Sequence, residues 1–369
     1  MRDSIGGPGI VSLAVCLGLL GMWPWGSHPV SARETPLLQE VGLSPGQKLP
    51  TVTLYQADGT SVPLGGKKPY FTVYLAGCNT CQIFLGKVDS FEQIARDFTD
   101  CNVRFYHLHK GLVHPELRNL LDPYTLRERR LLIEQFGAEL QSRIPWLVDG
   151  PEGKLSSIWG KAVPNLQLVV DPQGKIVHAS EWGDPAALRQ VLQSIFLGWQ
   201  SAGTSTSFSA ETRFNPLRRA DLRRSGTTWQ HIDKPLYMPP LVVEPVVDDP
   251  ERSYFVKLRV EAERPTLKGK PGRLYLRFDL DPVYRVTWDS TQPIVTAQFR
   301  TPTPRPQLLQ QLPAPARAVA GSDPAEWLLD SPEGREPFEV RLGYRVTDAE
   351  GQTTEAVQRF VVEWREAAG

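Results

Sequence analysis

Four cysteines in 369 residues are too few for a disulfide framework, and Cys16 falls inside an N-terminal apolar stretch. The remaining Cys78, Cys81 and Cys101 are an odd number. That excludes a fully paired scaffold and leaves one close pair plus a spare thiol. Net charge is lacking too. Lys+Arg and Asp+Glu are both 41, so nothing in the overall charge argues for nucleic acid or an anionic membrane as a partner. A structural zinc site needs four ligands, and the chain has neither a second C-x-x-C nor an H-x-x-x-H, so no metal and no cofactor is expected.

What is present begins with a targeting pattern. Arg2 precedes an apolar run over residues 10–25, interrupted by Gly18, Gly21 and Pro24, and Val30-Ser31-Ala32 supplies a small-residue cleavage signature. A spanning helix normally takes about 20 apolar residues, and this run has fewer. Residues 1–32 therefore read as an export signal cut after Ala32, with an uncleaved anchor as the alternative. The expectation is an exported protein, periplasmic or extracellular, whose membrane contact is confined to that segment.

The chemistry concentrates in residues 71–84, FTVYLAGCNTCQIF. Phe71, Val73 and Leu75 alternate with Thr72 and Tyr74 as in a strand ending at Ala76-Gly77. Beyond Cys81, Phe84, Val88, Phe91, Ile94, Ala95 and Phe98 recur three or four residues apart, which predicts one helix running to about residue 98. The dithiol Cys78-Cys81 then sits where a buried strand meets the positive end of a helix, a place that favours a thiolate. Cys101, some 17 helical residues further on at about 1.5 Å each, would lie roughly 25 Å away as a buried or half-buried free thiol.

Around this stretch the elements read in the order βαβα then ββα. Residues 49–64 form a hairpin turning at Asp58-Gly59, and residues 103–108 (VRFYHL) a second strand. Thr125-Leu126-Arg127-Glu128 is a capping box opening a helix through Leu131, Leu132, Phe136 and Leu140. Residues 145–149 are a short strand and residues 154–159 a helical turn. Residues 165–170 and 175–179 flank Asp171-Pro172-Gln173-Gly174 as a hairpin, and Asp184-Pro185 caps a last helix. His107 and His109 share one face of a strand end and are candidates for a role beside the cysteines, the competing reading being surface histidines at a strand terminus.

Strand, C-x-x-C, helix, strand, helix, then a proline before a β-hairpin and a closing helix resemble the thioredoxin superfamily over about residues 45–200. The extra N-terminal hairpin, the capping-box insertion and the sequence CQIF are similar to the redoxin branch, in particular to iodothyronine-deiodinase-like proteins. The resemblance implies an α/β thioredoxin-like fold, catalytic Cys78 and Cys81, and a site shaped by Thr80, Phe84, Val163 and Pro164, with Pro164 in the position of the family's cis-proline. Gly77 stands where a thioredoxin commonly has tryptophan, and Thr72 where it has a buried aspartate.

Residues 201–226 shift to Ser, Thr, Gly and Arg and read as a linker. Residues 227–369 have no helical period of useful length. Residues 254–260, 273–280, 284–288, 294–299, 339–346 and 356–364 alternate in and out as the strands of a β-sandwich. The run GRLYLRFDLDPVYRVTW resembles the amino-terminal immunoglobulin-like domain of the transmembrane thiol-disulfide interchange family, without that domain's cysteine pair. An all-β immunoglobulin-like sandwich with a docking or packing role is implied.

These readings converge on an exported thiol-disulfide oxidoreductase. Cys78 would attack and Cys81 resolve, with protein disulfides or dithiols as substrates and a separate electron donor. The alternatives are a peroxiredoxin-like or deiodinase-like reductase attacking through Cys81, and a periplasmic scaffold or copper-handling module.

Overall fold

Alternation of β-branched and aromatic residues builds the centre of the first half, and the strand Phe71–Ala76 (β3) is buried along nearly its whole length. A computed structural model describes residues 36–112, 120–150, 153–159, 165–196, 232–300, 310–316, 319–331 and 336–367. The expected export signal, the linker 201–226, Val163 and Pro164 lie outside the described residues. After the short helix Pro36–Glu40 (α1), β1 (Thr53–Tyr55) and β2 (Ser61–Pro63) form the expected hairpin. Gly59 takes a φ of 90° in its turn, and Asp58 Oδ1 accepts from Thr60 N–H.

The other elements of this half are Gln82–Leu85 (α2), Val88–Asp97 (α3), Val103–His109 (β4), Leu126–Leu140 (α4), Trp146–Asp149 (β5), Lys154–Trp159 (α5), Gln167–Val170 (β6), Ile176–Ser180 (β7) and Pro185–Ile195 (α6). One seven-stranded sheet runs β2-β1-β5-β4-β3-β6-β7. β3 is parallel to β4 and antiparallel to β6, and β4 is parallel to β5. The order β4-β3-β6-β7, with α2 and α3 joining β3 to β4, α4 leaving β4 for β5 and α6 following β7, is the thioredoxin-like core; β5, β1 and β2 extend it on the β4 side. The pleat sends Tyr74, Ala76, Tyr106 and Leu108 to one face with Trp159, and Val73, Leu75 and Phe105 to the other with Phe91, Leu188 and Leu192.

One expectation fails at the key junction. The helix after Cys81 is broken: α2 stops at Leu85, Gly86 caps it, and α3 restarts at Val88. The apolar spacing carries across the break because both pieces pack on the same face. The side chain of Lys87, at the break, donates to the carbonyls of Trp182 and Gly183.

The second half is all-β. Arg273–Leu280 (β10) lies between Val256–Ala262 (β9) and Ala325–Asp330 (β14) in a three-stranded sheet. The other sheet runs β13-β12-β15-β16-β8, from Gln310–Gln311 (β13), Ile294–Arg300 (β12), Phe338–Thr347 (β15), Thr353–Glu366 (β16) and Leu241–Pro245 (β8), with Thr287–Trp288 (β11) pairing β15. Every pairing is antiparallel. Both sheets contribute to one core, in which Phe278 meets Trp327 and Phe360. Strands β8, β13 and β14 were not legible in the sequence, and the expected strand 284–288 is instead a 3-10 turn, Pro282–Tyr284, followed by the two residues of β11.

Glu34–Gly369 form a single compact unit. Glu128 of α4, fully buried, receives Lys257 Nζ at 2.5 Å and the Tyr284 hydroxyl at 2.8 Å. Lys257 Nζ also lies 3.3 Å from Asp281 Oδ2 and 3.6 Å from the centre of the Tyr124 ring. The capping box contributes to this contact. Thr125 Oγ1 accepts from Glu128 N–H as expected, while Glu128 Oε2 accepts from Tyr124 N–H instead of Thr125 N–H.

Candidate functional site

Strand β3 ends at Ala76, whose N–H donates to Leu166 C=O, and Gly77 N–H donates to Leu108 C=O, so the chain enters the C-x-x-C still tied to both neighbours. Gly77 is required by the packing. A Cβ there would stand 2.1 Å from Cδ2 of Phe84, whose ring covers the glycine. This is the physical reason a tryptophan cannot occupy position 77. Phe84 in turn meets His107 and Trp146 edge to face, with ring centres 5.3 and 5.6 Å apart.

Cys78 and Cys81 are both free thiols, 1% and 6% exposed, in one cluster with Phe84, Leu132, Phe136 and Trp146. Cys81 N–H donates to Cys78 C=O at 3.2 Å, closing the turn between them. Thr80 Oγ1 lies 3.0 Å from Cys78 Sγ. Asn165 was not foreseen: its amide reaches Cys81, Nδ2 at 3.4 Å and Oδ1 at 3.5 Å from Sγ. The only signal in the sequence was its position directly after Val163-Pro164. Asn79 Nδ2 donates to Glu139 Oε2 at 2.9 Å and ties the motif to α4. Cys81 caps α2, but four residues carry little of a helix macrodipole, so the favourable helix end argued from sequence is much reduced here.

The histidines are not surface residues. His107 is fully buried and His109 nearly so, on the sheet face that carries the cysteine cluster. His107 packs on Phe84 and Trp146, with Glu92 Oε1 3.6 Å from its Nε2, and burial pulls its pKa down against the opposing effect of that carboxylate. His109 packs edge to face on Phe136. Burial, reinforced by the Arg129 charge, lowers its pKa to about 3, so the imidazole is neutral at pH 7. Cys101 is half-buried, as expected, and packs with a different cluster that includes Phe98.

The second half reaches this site. Asp281 Oδ1 accepts from Val283 N–H at 3.1 Å and fixes the 3-10 turn, and Val283 packs against the cluster that contains both cysteines. Ile83 and Trp182 are large apolar side chains left 46% and 51% exposed. Among the described residues, no group of three or more His, Cys, Asp or Glu is placed to hold a metal ion.

No family model matches the chain, and no curated protein matches it. Solved structures do. The thioredoxin domain of a thiol-disulfide oxidoreductase from Bacteroides vulgatus is 18% identical, over 42% of this chain and 98% of that one, with a TM-score of 0.32. A thiol:disulfide interchange protein from Bacteroides sp. is 17% identical, over 44% and 95%, with a TM-score of 0.33. A peroxiredoxin-like protein from Aquifex aeolicus is 10% identical, over 42% and 88%, with a TM-score of 0.32. The fold assignment rests on strand order and not on these likenesses.

Proposed function

We propose that the chain is an exported thiol-disulfide oxidoreductase working through Cys78 and Cys81. The observation that carries this is the pair itself: two free thiols with two residues between them at the end of a central strand, each sulfur with a polar side chain beside it, Thr80 for Cys78 and Asn165 for Cys81. The Cys78 thiolate attacks a protein disulfide, forms a mixed disulfide and expels one substrate thiolate. The Cys81 thiolate then attacks Cys78 Sγ, closes the Cys78-Cys81 disulfide and releases the second substrate thiolate. The substrate gains two electrons, and a donor dithiol returns them to the enzyme.

Both sulfurs are buried, so exchange requires the site to open. The exposed Ile83 and Trp182 offer an apolar surface for a protein substrate, and the turn at Val283 is the element that must yield on the other side. This gives the β-sheet half, immunoglobulin-like in the sequence resemblance of residues 272–288, a covering role. A second reading, attack by Cys81 as in the redoxin branch, is favoured by its greater exposure and by the Asn165 amide beside its sulfur.

The test is trapping. Cys81→Ser should accumulate a mixed disulfide through Cys78, since the resolving thiol is gone. Accumulation only in Cys78→Ser, through Cys81, selects the second reading. No adduct in either variant, with wild-type protein that neither reduces nor oxidises a disulfide substrate, would sink both.

A further inference from the structure

β4 is longer than the strand beside it. β5 begins at Trp146 and pairs β4 only across His107, Leu108 and His109, so the first half of β4, from Val103 to Tyr106, has β3 on one side and, among the described residues, no strand on the other. Which backbone groups this leaves open follows from the parallel ladder. Phe71 N–H donates to Asn102 C=O and Gly77 N–H to Leu108 C=O, so the even-numbered residues of β4 direct their backbone groups at β3. The odd-numbered residues face away, as His107 N–H donating to Pro145 C=O shows. Phe105 is the odd residue before it. Pro145 has no N–H to return, and Phe105 N–H and C=O have no backbone partner among the described residues.

A cleft of about 490 Å³ lies along this stretch of edge. Three guanidinium groups line it from three elements: Arg96 of α3, Arg104 of β4 and Arg143 of the turn before β5. All three side chains are exposed. Among the described residues Glu92 is the one carboxylate in the lining, and its oxygens are already taken by the Ser142 hydroxyl and by the N–H groups of Arg143 and Ile144. Arg104 also stacks on Tyr70, with its guanidinium carbon 4.1 Å from the ring centre. The chain as a whole is neutral, so this local excess of positive charge is a property of the cleft.

We propose that the open edge of β4 binds an extended acidic polypeptide segment of a partner protein by strand addition, its backbone pairing with Phe105 and its carboxylates meeting Arg96, Arg104 and Arg143. An unpaired edge supplies main-chain bonds irrespective of sequence, and the side chains beside it supply selectivity; here they select negative charge. The proposal does not depend on the dithiol chemistry, since none of these residues touches either cysteine.

The experiment uses the full chain and a fluorescent octapeptide of Glu-Glu-Val-Val repeats, which carries carboxylates on both faces of a strand, read by anisotropy, with hydrogen exchange at the Phe105 amide as a second readout. Binding should slow exchange at Phe105. It should weaken about five-fold for each Arg→Ala substitution, the upper range for an exposed ion pair, and vanish in Arg96→Glu/Arg104→Glu/Arg143→Glu. The same peptide N-methylated at alternate residues keeps its charge and loses its donors, and it should bind at least ten-fold more weakly. Equal binding of the methylated peptide, unchanged exchange at Phe105, or no binding at all would overturn strand addition. Arginine-dependent displacement of the peptide by an oligonucleotide at lower concentration would overturn the acidic polypeptide as the ligand. Because the three arginines are exposed, the variants should keep the far-UV circular dichroism and melting temperature of the wild type.

Discussion

Lys257 Nζ lies 2.5 Å from Glu128 Oε2, 129 residues away in sequence, and neither side chain is more than about a twentieth exposed. Removing one partner of such a pair leaves an uncompensated buried charge. Lys257→Met should therefore cost about 3–5 kcal/mol, measured by urea denaturation, whereas Lys257→Met combined with Glu128→Gln should recover part of the loss. Equal losses in the single and double variants would show that the ion pair does not join the two halves.

The same contact should control access to the dithiol. Val283 is carried on a turn whose N-cap, Asp281, and whose Tyr284 hydroxyl both belong to the Lys257 network. Loosening it in Lys257→Met should raise the rate at which a small thiol reagent labels Cys78 and Cys81, about ten-fold for each 1.4 kcal/mol removed from local opening. Cys101 packs with a different cluster and serves as the internal control. Labelling of Cys78 and Cys81 at the wild-type rate would mean that the second half does not gate the site.

Gly77→Ala places a methyl group inside the van der Waals envelope of Phe84, an aromatic ring that is itself 2% exposed and packed on His107 and Trp146. The ring has to move, at a cost of about 1–3 kcal/mol typical of overpacking. Phe84→Leu alone should also destabilise, but the pair Gly77→Ala/Phe84→Leu should cost less than the sum of the two, as read from thermal melts. Strict additivity would show that the ring relieves the clash without strain.

The sequence of strands and helices along the first half, the place of the C-x-x-C and the all-β character of the second half were legible because period-2 and period-3.6 patterns report on burial directly. The break at Gly86-Lys87 was not legible, since a kink that keeps both pieces on one face preserves the apolar spacing. The burial of His107 and His109 was not legible because a histidine in an otherwise apolar strand gives no sign of whether it is covered; the cover comes from Phe84, Phe136 and Trp146, which only the fold brings together. Asn165 and Lys257 were missed for the same reason. Their partners, Cys81 and Glu128, lie 84 and 129 residues away, and no local pattern marks a long-range polar contact.

His109 also makes stability depend on pH in a stated direction. Its ordinary value is 6.5 and burial takes it to about 3 in the folded protein, so the unfolded chain binds a proton that the folded one refuses. A group with a depressed folded value contributes stability that is complete above 6.5 and is lost as pH falls toward 3. Between about pH 6 and 4 this one residue should steepen the loss by up to about 1.4 kcal/mol per pH unit. Asp281, raised by burial to about 6, opposes it: protonating Asp281 favours the folded state as pH falls through that value. His109→Phe, which keeps an aromatic ring against Phe136, should flatten the urea midpoint against pH over this window while leaving the value at pH 8 nearly unchanged. A variant whose midpoint falls with pH as steeply as the wild type would place the acid sensitivity elsewhere, with His107 and its Glu92 neighbour the next groups to substitute.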